Sequence, residues 1–188
     1  MTEISRLVGL KVMSIWVSKS EDELAFVCKN AAGENVGVLL ETYADCCSET
    51  WFADIVGAEA LIGATIVKTE RIDMSSLGYN VEDGRGRQDC DQAYGIKITS
   101  SKGWGDIVYR NSSNGYYGGD SSEEWFDAKG FPSPQDFAQW SQITSDWGSG
   151  ESGEPQQIPS WIAASEKQHL ETVTGPGAAE AREGPLRI

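Results

Sequence analysis

Leu10-Lys11-Val12-Met13-Ser14-Ile15-Trp16-Val17 mixes β-branched and other apolar residues with isolated polar ones, and this predicts a first strand. Glu23 to Lys29, with Leu24, Phe26 and Cys28 set against Ala25 and Val27, predicts a short buried strand. The turn sequence Ala32-Gly33-Glu34-Asn35 separates it from a third strand over Val36 to Tyr43, so residues 10–43 predict a meander. After Cys46-Cys47 the period changes. Trp51, Phe52, Ile55 and Val56 recur at helical spacing, with Ser48 as N-cap and Gly57 as the stop, which predicts a helix of about two turns. Ala64 to Ile72 returns to strand. Residues 75–93 form a long polar loop of the kind that is functional or mobile inside a compact domain. Tyr94 to Thr99 and Asp106 to Arg110 predict a last pair of strands joined at Lys102-Gly103, and Asn114-Gly115 is a tight-turn signal.

The texture changes beyond Gly119. Ser133-Pro134-Gln135-Asp136 reads as a helix start, with Phe137, Trp140 and Ile143 as its apolar edge. Residues 146–157 have linker composition, Trp161 to Val173 predicts a marginal second helix, and Gly175 to Ile188 predicts disorder. The resulting fold class is α+β: an antiparallel β-sheet with one short packed helix, then a mostly irregular acidic C-terminal extension with short helices. Its expected divisions are a compact β-rich domain over 1–119, an aromatic-rich segment over 120–145, and an acidic, largely disordered tail over 146–188.

Charge narrows the partners. The formal net charge of the 188-residue chain is -14. Residues 1–119 carry 11 basic and 17 acidic side chains, whereas residues 120–188 carry 4 and 12, so the last third is the more acidic. Such a surface repels phosphate backbones and anionic lipid, and the pair Arg85 and Arg87 is too small to reverse that. Arg6 and Lys11 interrupt any leader-like apolar stretch, and no run approaches the roughly 20 residues of a membrane span. A cytoplasmic protein with reduced cysteines is expected, with no direct nucleic-acid and no membrane partner.

Two clusters carry candidate chemistry. The first is Asp45-Cys46-Cys47-Ser48-Glu49-Thr50-Trp51. A thiol at a helix N-terminus loses pKa and becomes nucleophilic. The only histidine, His169, falls in the tail, so no Cys–His pair forms within the front domain, and a cysteine packed into the core explains the pattern as well. Cys28, Cys46, Cys47 and Cys90 are enough for zinc in number, but no C-x-x-C pair exists and adjacent cysteines seldom chelate one ion together. Asp83, Asp89 and Asp91 lack the spacing of a calcium loop. The second cluster is Tyr109-Arg110-Asn111-Ser112-Ser113-Asn114-Gly115-Tyr116-Tyr117-Gly118-Gly119. It reads either as a hairpin end whose tyrosines cover the core or as a binding shelf. In the second case Tyr116 and Tyr117 supply flat faces, Arg110 a planar fork, and Asn111 and Asn114 amides. Phosphate loops, dinucleotide fingerprints and the common hydrolase motifs are absent from the sequence.

On Cys46, Cys47, Ser48 and Trp51, and on Arg110, Asn111, Ser113, Asn114, Gly115, Tyr116, Tyr117, Gly118 and Gly119, the chain resembles a family of small domains encoded by bacteriophages, prophages and bacteria. Asp91-Gln92-Ala93-Tyr94-Gly95 is also similar, and the resemblance spans residues 8–119. It implies a viral or mobile-element setting, hence a host cytosol, and brings no established activity. The function expected is non-enzymatic binding of a host protein or small ligand through the Asn/Gly/Tyr turn. The binding residues are Arg110, Asn111, Asn114, Tyr116, Tyr117, Cys46, Cys47 and Trp51, with no catalytic residue, metal ligand or cofactor assigned. The alternatives are a cysteine-dependent enzyme using Cys46 or Cys47, and an acidic nucleic-acid mimic.

Overall fold

The structure, a computed structural model, describes residues 4–74, 88–133 and 136–148. Its strands are β1 (Lys11–Ser18), β2 (Glu23–Lys29), β3 (Asn35–Ala44), β4 (Ser48–Val56), β5 (Ile66–Asp73), β6 (Cys90–Ser100), β7 (Gly103–Ser113), β8 (Gly119–Phe126), β9 (Trp140–Ile143) and β10 (Trp147–Gly148). β1, β2 and β3 pair antiparallel in chain order, as their patterns predict. β5, β6 and β7 form a second antiparallel meander. The two are extended into five-stranded sheets of order β8-β3-β2-β1-β9 and β10-β4-β7-β6-β5. Every pairing in both is antiparallel.

The sheets pack face to face. Val12, Ile15, Leu24, Phe26, Val38 and Leu40 of the first share one buried cluster with Phe52, Ile55, Ile96, Ile98, Ile107 and Tyr109 of the second. Alternate residues of each strand turn inward to fill the layer between them.

This architecture corrects the α+β expectation: the described chain is essentially all-β. The predicted helix at 48–57 is strand β4. A β-bulge at Ala53, between Phe52 and Asp54, is the reason. The extra residue lets Phe52 and Ile55 face the core three positions apart, which imitates helical spacing on a pleated strand. β1 carries the same device at Met13, with Val12 and Ile15 both inward. The α-helix among the described residues is α1 (Ala58–Leu61), a single turn that follows Gly57 instead of ending there. Gly57 has φ +73°, and a Cβ on it would stand 2.5 Å from the Trp104 carbonyl oxygen.

The extension also departs from the expected short helices. Residues 119–126, 140–143 and 147–148 are strands β8, β9 and β10, and the predicted helix start leaves one 3-10 turn over Asp136–Ala138. There Asp136 accepts the Ser133 amide through its carboxylate at 2.6 Å. β8 and β9 lie at opposite edges of the first sheet, so the chain between them passes over that sheet's outer side. Phe131 anchors it, edge-on to Trp16 (6.3 Å), Phe126 (5.1 Å) and Trp140 (5.4 Å). The loop at 75–87, Pro134-Gln135, the linker from 149, the helix at 161–173 and the tail at 175–188 lie outside the described residues, as do Asp83, Arg85, Arg87 and His169.

Candidate functional site

β3 and β4 belong to different sheets, and so do β7 and β8. The connections 45–47 and 114–118 are therefore arches from one sheet to the other, and Asn114-Gly115 is not the end of a hairpin. Since β3 is bonded to β8 and β4 to β7, the two arches lie side by side. The Asp45 amide donates to the Gly118 carbonyl at 2.9 Å. The Ser48 hydroxyl is placed within 2.9 Å of both the Gly118 and the Asp45 carbonyls. From the start of the neighbouring strand, Gln88 donates its side-chain amide to the Cys47 carbonyl (3.1 Å) and its backbone amide to the Ser112 hydroxyl (2.9 Å). The cysteine and tyrosine clusters, some 70 positions apart in the chain, thus share one end of the sandwich.

The same geometry divides the tyrosine cluster in two. Arg110 is only 3% exposed. It faces Trp51 across the β4–β7 ladder, with its guanidinium carbon 5.6 Å from that buried ring, and forms an ion pair with Asp91. Asn111, 1% exposed, donates to the Thr50 hydroxyl at 2.8 Å and the Glu49 carbonyl at 3.3 Å. Thr42 on β3 in turn donates to the Thr50 carbonyl at 3.1 Å. Gly119 lies against this group: a Cβ there would fall 1.8 Å from Thr50 Oγ1 and 2.6 Å from Asn111 Nδ2. Arg110, Asn111 and Trp51 are accordingly buried in the wall of this end and present no surface. Asn114 is exposed and accepts the Tyr116 amide at 3.0 Å, closing a local turn at Gly115 (φ +83°). Beyond it Tyr116 is 93% and Tyr117 44% exposed.

Cys46 and Cys47 are both exposed, with their sulfurs 3.4 Å apart. Cys47 has φ +63°, and the Ser48 amide donates to the Asp45 carbonyl at 3.1 Å. No helix begins here, so the positive helix end expected to activate a thiol does not exist. The Cys46 thiol is instead pushed above its ordinary pKa, first by its hydrogen bond with Cys47. Cys28 is buried in the core, and that burial pushes its thiol up to about 12. Cys90 is half-buried, opposite Ser113. Among the described residues no group of three or more His, Cys, Asp or Glu side chains is placed to hold a metal ion.

Close by, Arg71 of edge strand β5 reaches edge strand β8. It donates to the Asp120 carboxylate at 2.8 Å, to the Ser121 carbonyl at 2.8 Å and to the Tyr109 hydroxyl. Tyr109 donates to Asp120 at 2.9 Å, and burial, the largest cause, pushes its phenol up to about 12. Sequence reasoning passed over Thr42, Thr50 and Gln88. A signal for the two threonines did exist: each holds an inward position next to a core residue, Thr42 after Leu40 and Thr50 before Phe52, where the period of two asks for an apolar side chain. Gln88 had no such mark.

The chain matches the family described as Domain of unknown function (DUF7448) over residues 5–122 and belongs to that family. No curated protein and no solved structure matches it. No helix among the described residues is long and apolar enough to cross a membrane.

Proposed function

We propose that this DUF7448-family chain is a non-enzymatic binding protein of phage or mobile-element origin. It engages a host protein, or failing that a small ligand, in the host cytosol through the paired arches. The observation that carries this reading is Tyr116, almost wholly exposed beside the half-exposed Tyr117, on a connection whose two ends are pinned. A large amphipathic ring held on a rigid support gives contact area at low entropic cost, which is what a recognition surface requires. The net charge of -14 favours a partner with a basic face. Asn114 shapes the arch, while Arg110, Asn111 and Trp51 support it from behind.

The rival reading, a cysteine-dependent enzyme, drew its force from a helix N-terminus at Ser48, and that segment is a strand. The test is capture of partners from host lysate by the full chain and by a Tyr116→Ala/Tyr117→Ala variant. Binding should fall by about tenfold or more for loss of two aromatic anchors, with thermal unfolding unchanged. Undiminished capture by the variant would refute the reading.

A further inference from the structure

The tyrosine-centred function uses the arch at 45–47 as surface and makes no use of the thiols of Cys46 and Cys47. Successive side chains of an extended strand point to opposite faces, but this turn brings two successive thiols together on the surface, Sγ to Sγ 3.4 Å. Cys47 sits at φ +63°, in the left-handed region where glycine is the ordinary occupant. The turn is fastened on both sides, at the Cys47 carbonyl by Gln88 and at the Asp45 amide by Gly118. A side chain kept at a strained position on a fixed turn marks a place to look for function.

We propose that Cys46 and Cys47 form a two-thiol site for a soft, pyramidal trivalent centre of the arsenical class. Two sulfurs 3.4 Å apart, each bonded at about 2.3 Å to one atom, subtend about 95° there. Trivalent arsenic, which bonds through nearly perpendicular p orbitals, takes that angle. In its mono-organic form it asks the protein for two thiols only, since its third bond is to the carbon it brings. Zinc asks for four ligands, and no described group supplies even three.

A direct disulfide fits less well. It requires the sulfurs to close to about 2.05 Å and prefers Cα atoms 4.4–6.8 Å apart, whereas neighbours across a trans peptide are held at about 3.8 Å. Cys90 stands apart from the pair: it opposes Ser113, which opposes Ser48, so its backbone lies two strands, about 10 Å by strand spacing, from Ser48.

The reaction balances without a redox step. With an aryl arsenous oxide, two S–H bonds break and two As–S bonds form. The arsenic-bound oxygen leaves as water carrying both thiol protons, and arsenic stays trivalent.

The probe is phenylarsine oxide, added to the reduced full-length protein and read by intact mass. One adduct per chain is expected, resistant to a monothiol and removed by a dithiol. Cys46→Ser and Cys47→Ser should each weaken retention by about 100-fold, the loss of one arm of a chelate, while Cys90→Ser retains it. Circular dichroism checks that these surface variants stay folded. An unmodified wild-type chain, an adduct that survives in Cys46→Ser or Cys47→Ser, or one lost in Cys90→Ser would overturn the proposal. So would a chain that refuses the arsenical yet loses two hydrogens from the Cys46–Cys47 peptide on treatment with diamide, since the pair would then be a redox couple.

Discussion

Gly119 and Asn111 fit together so closely that neither position tolerates change. A methyl group on Gly119 meets the Thr50 hydroxyl at 1.8 Å, and both the hydroxyl and the amide beside it are already hydrogen-bonded to each other. Gly119→Ala is therefore expected to cost about 1–3 kcal/mol, the range for overpacking a filled interior, read as a lower urea midpoint at unchanged slope. Tyr109 sets a pH dependence. Its phenol holds its proton to about 12 in the folded chain, against about 10 unfolded. Folding is thus linked to keeping the proton: the Tyr109 contribution is level below pH 10 and falls as pH rises from 10 to 12. The loss is on the order of 2–3 kcal/mol, since each pH unit in that window removes about 1.4 kcal/mol. Urea melts between pH 8 and 12 should show this decline, and Tyr109→Phe should make it shallower between pH 10 and 12. Burial also raises Cys28, to about 12 against about 8.5 unfolded, and Tyr94, stacked on Tyr109 at 5.2 Å, so a slope of the same sign that begins nearer pH 8.5 remains in that variant.

Among the elements, β4 shows where a one-dimensional pattern misleads. Its bulge converts a period of two into a spacing of three, and Trp51, Phe52, Ile55 and Val56 then read as a helix. The regular strand β2 and the hairpin β6–β7 are legible because each turns on local facts: uninterrupted apolar residues, and a Lys102-Gly103 turn. The β8–β9 connection has the pattern of a helix with a free apolar edge, whereas Phe131, Phe126 and Trp140 pack on the protein's own first sheet. Phe131→Ala should cost about 2 kcal/mol, below the 3–5 of a fully buried phenylalanine because the ring is only partly covered. Trp16 and Trp140 should then become more exposed, seen as a red shift of tryptophan emission before any unfolding.

At the scale of the whole molecule, three of the four outer strands come from chain at or beyond residue 119, and β5 is the fourth. β8 covers β3, β9 covers β1 and β10 covers β4. A chain ending at Gly148 keeps all three, whereas one ending at Phe126 bares the β1 and β4 edges and the Trp16 face. The shorter chain is expected to be less stable by several kcal/mol, since two strand pairings and an aromatic layer are removed. It should also self-associate through its open edges. Denaturant melts and sedimentation of the two chains measure both effects, and equal behaviour would contradict the assigned pairings.

The amino-acid order by itself determined the strands of both meanders, the turns at 32–35 and 102–103 and the two clusters at Cys46-Cys47 and Tyr109–Gly119, because those depend on neighbours within a few positions. Tertiary structure alone decided that residues 48–56 are strand, that the two clusters meet, and that Arg110 and Asn111 are buried while Tyr116 is exposed. Each of these depends on which strand lies beside which: β3 beside β8, β4 beside β7. Such pairing joins residues 50 to 89 positions apart in the chain, and the period of a single strand carries no record of its neighbour across the ladder.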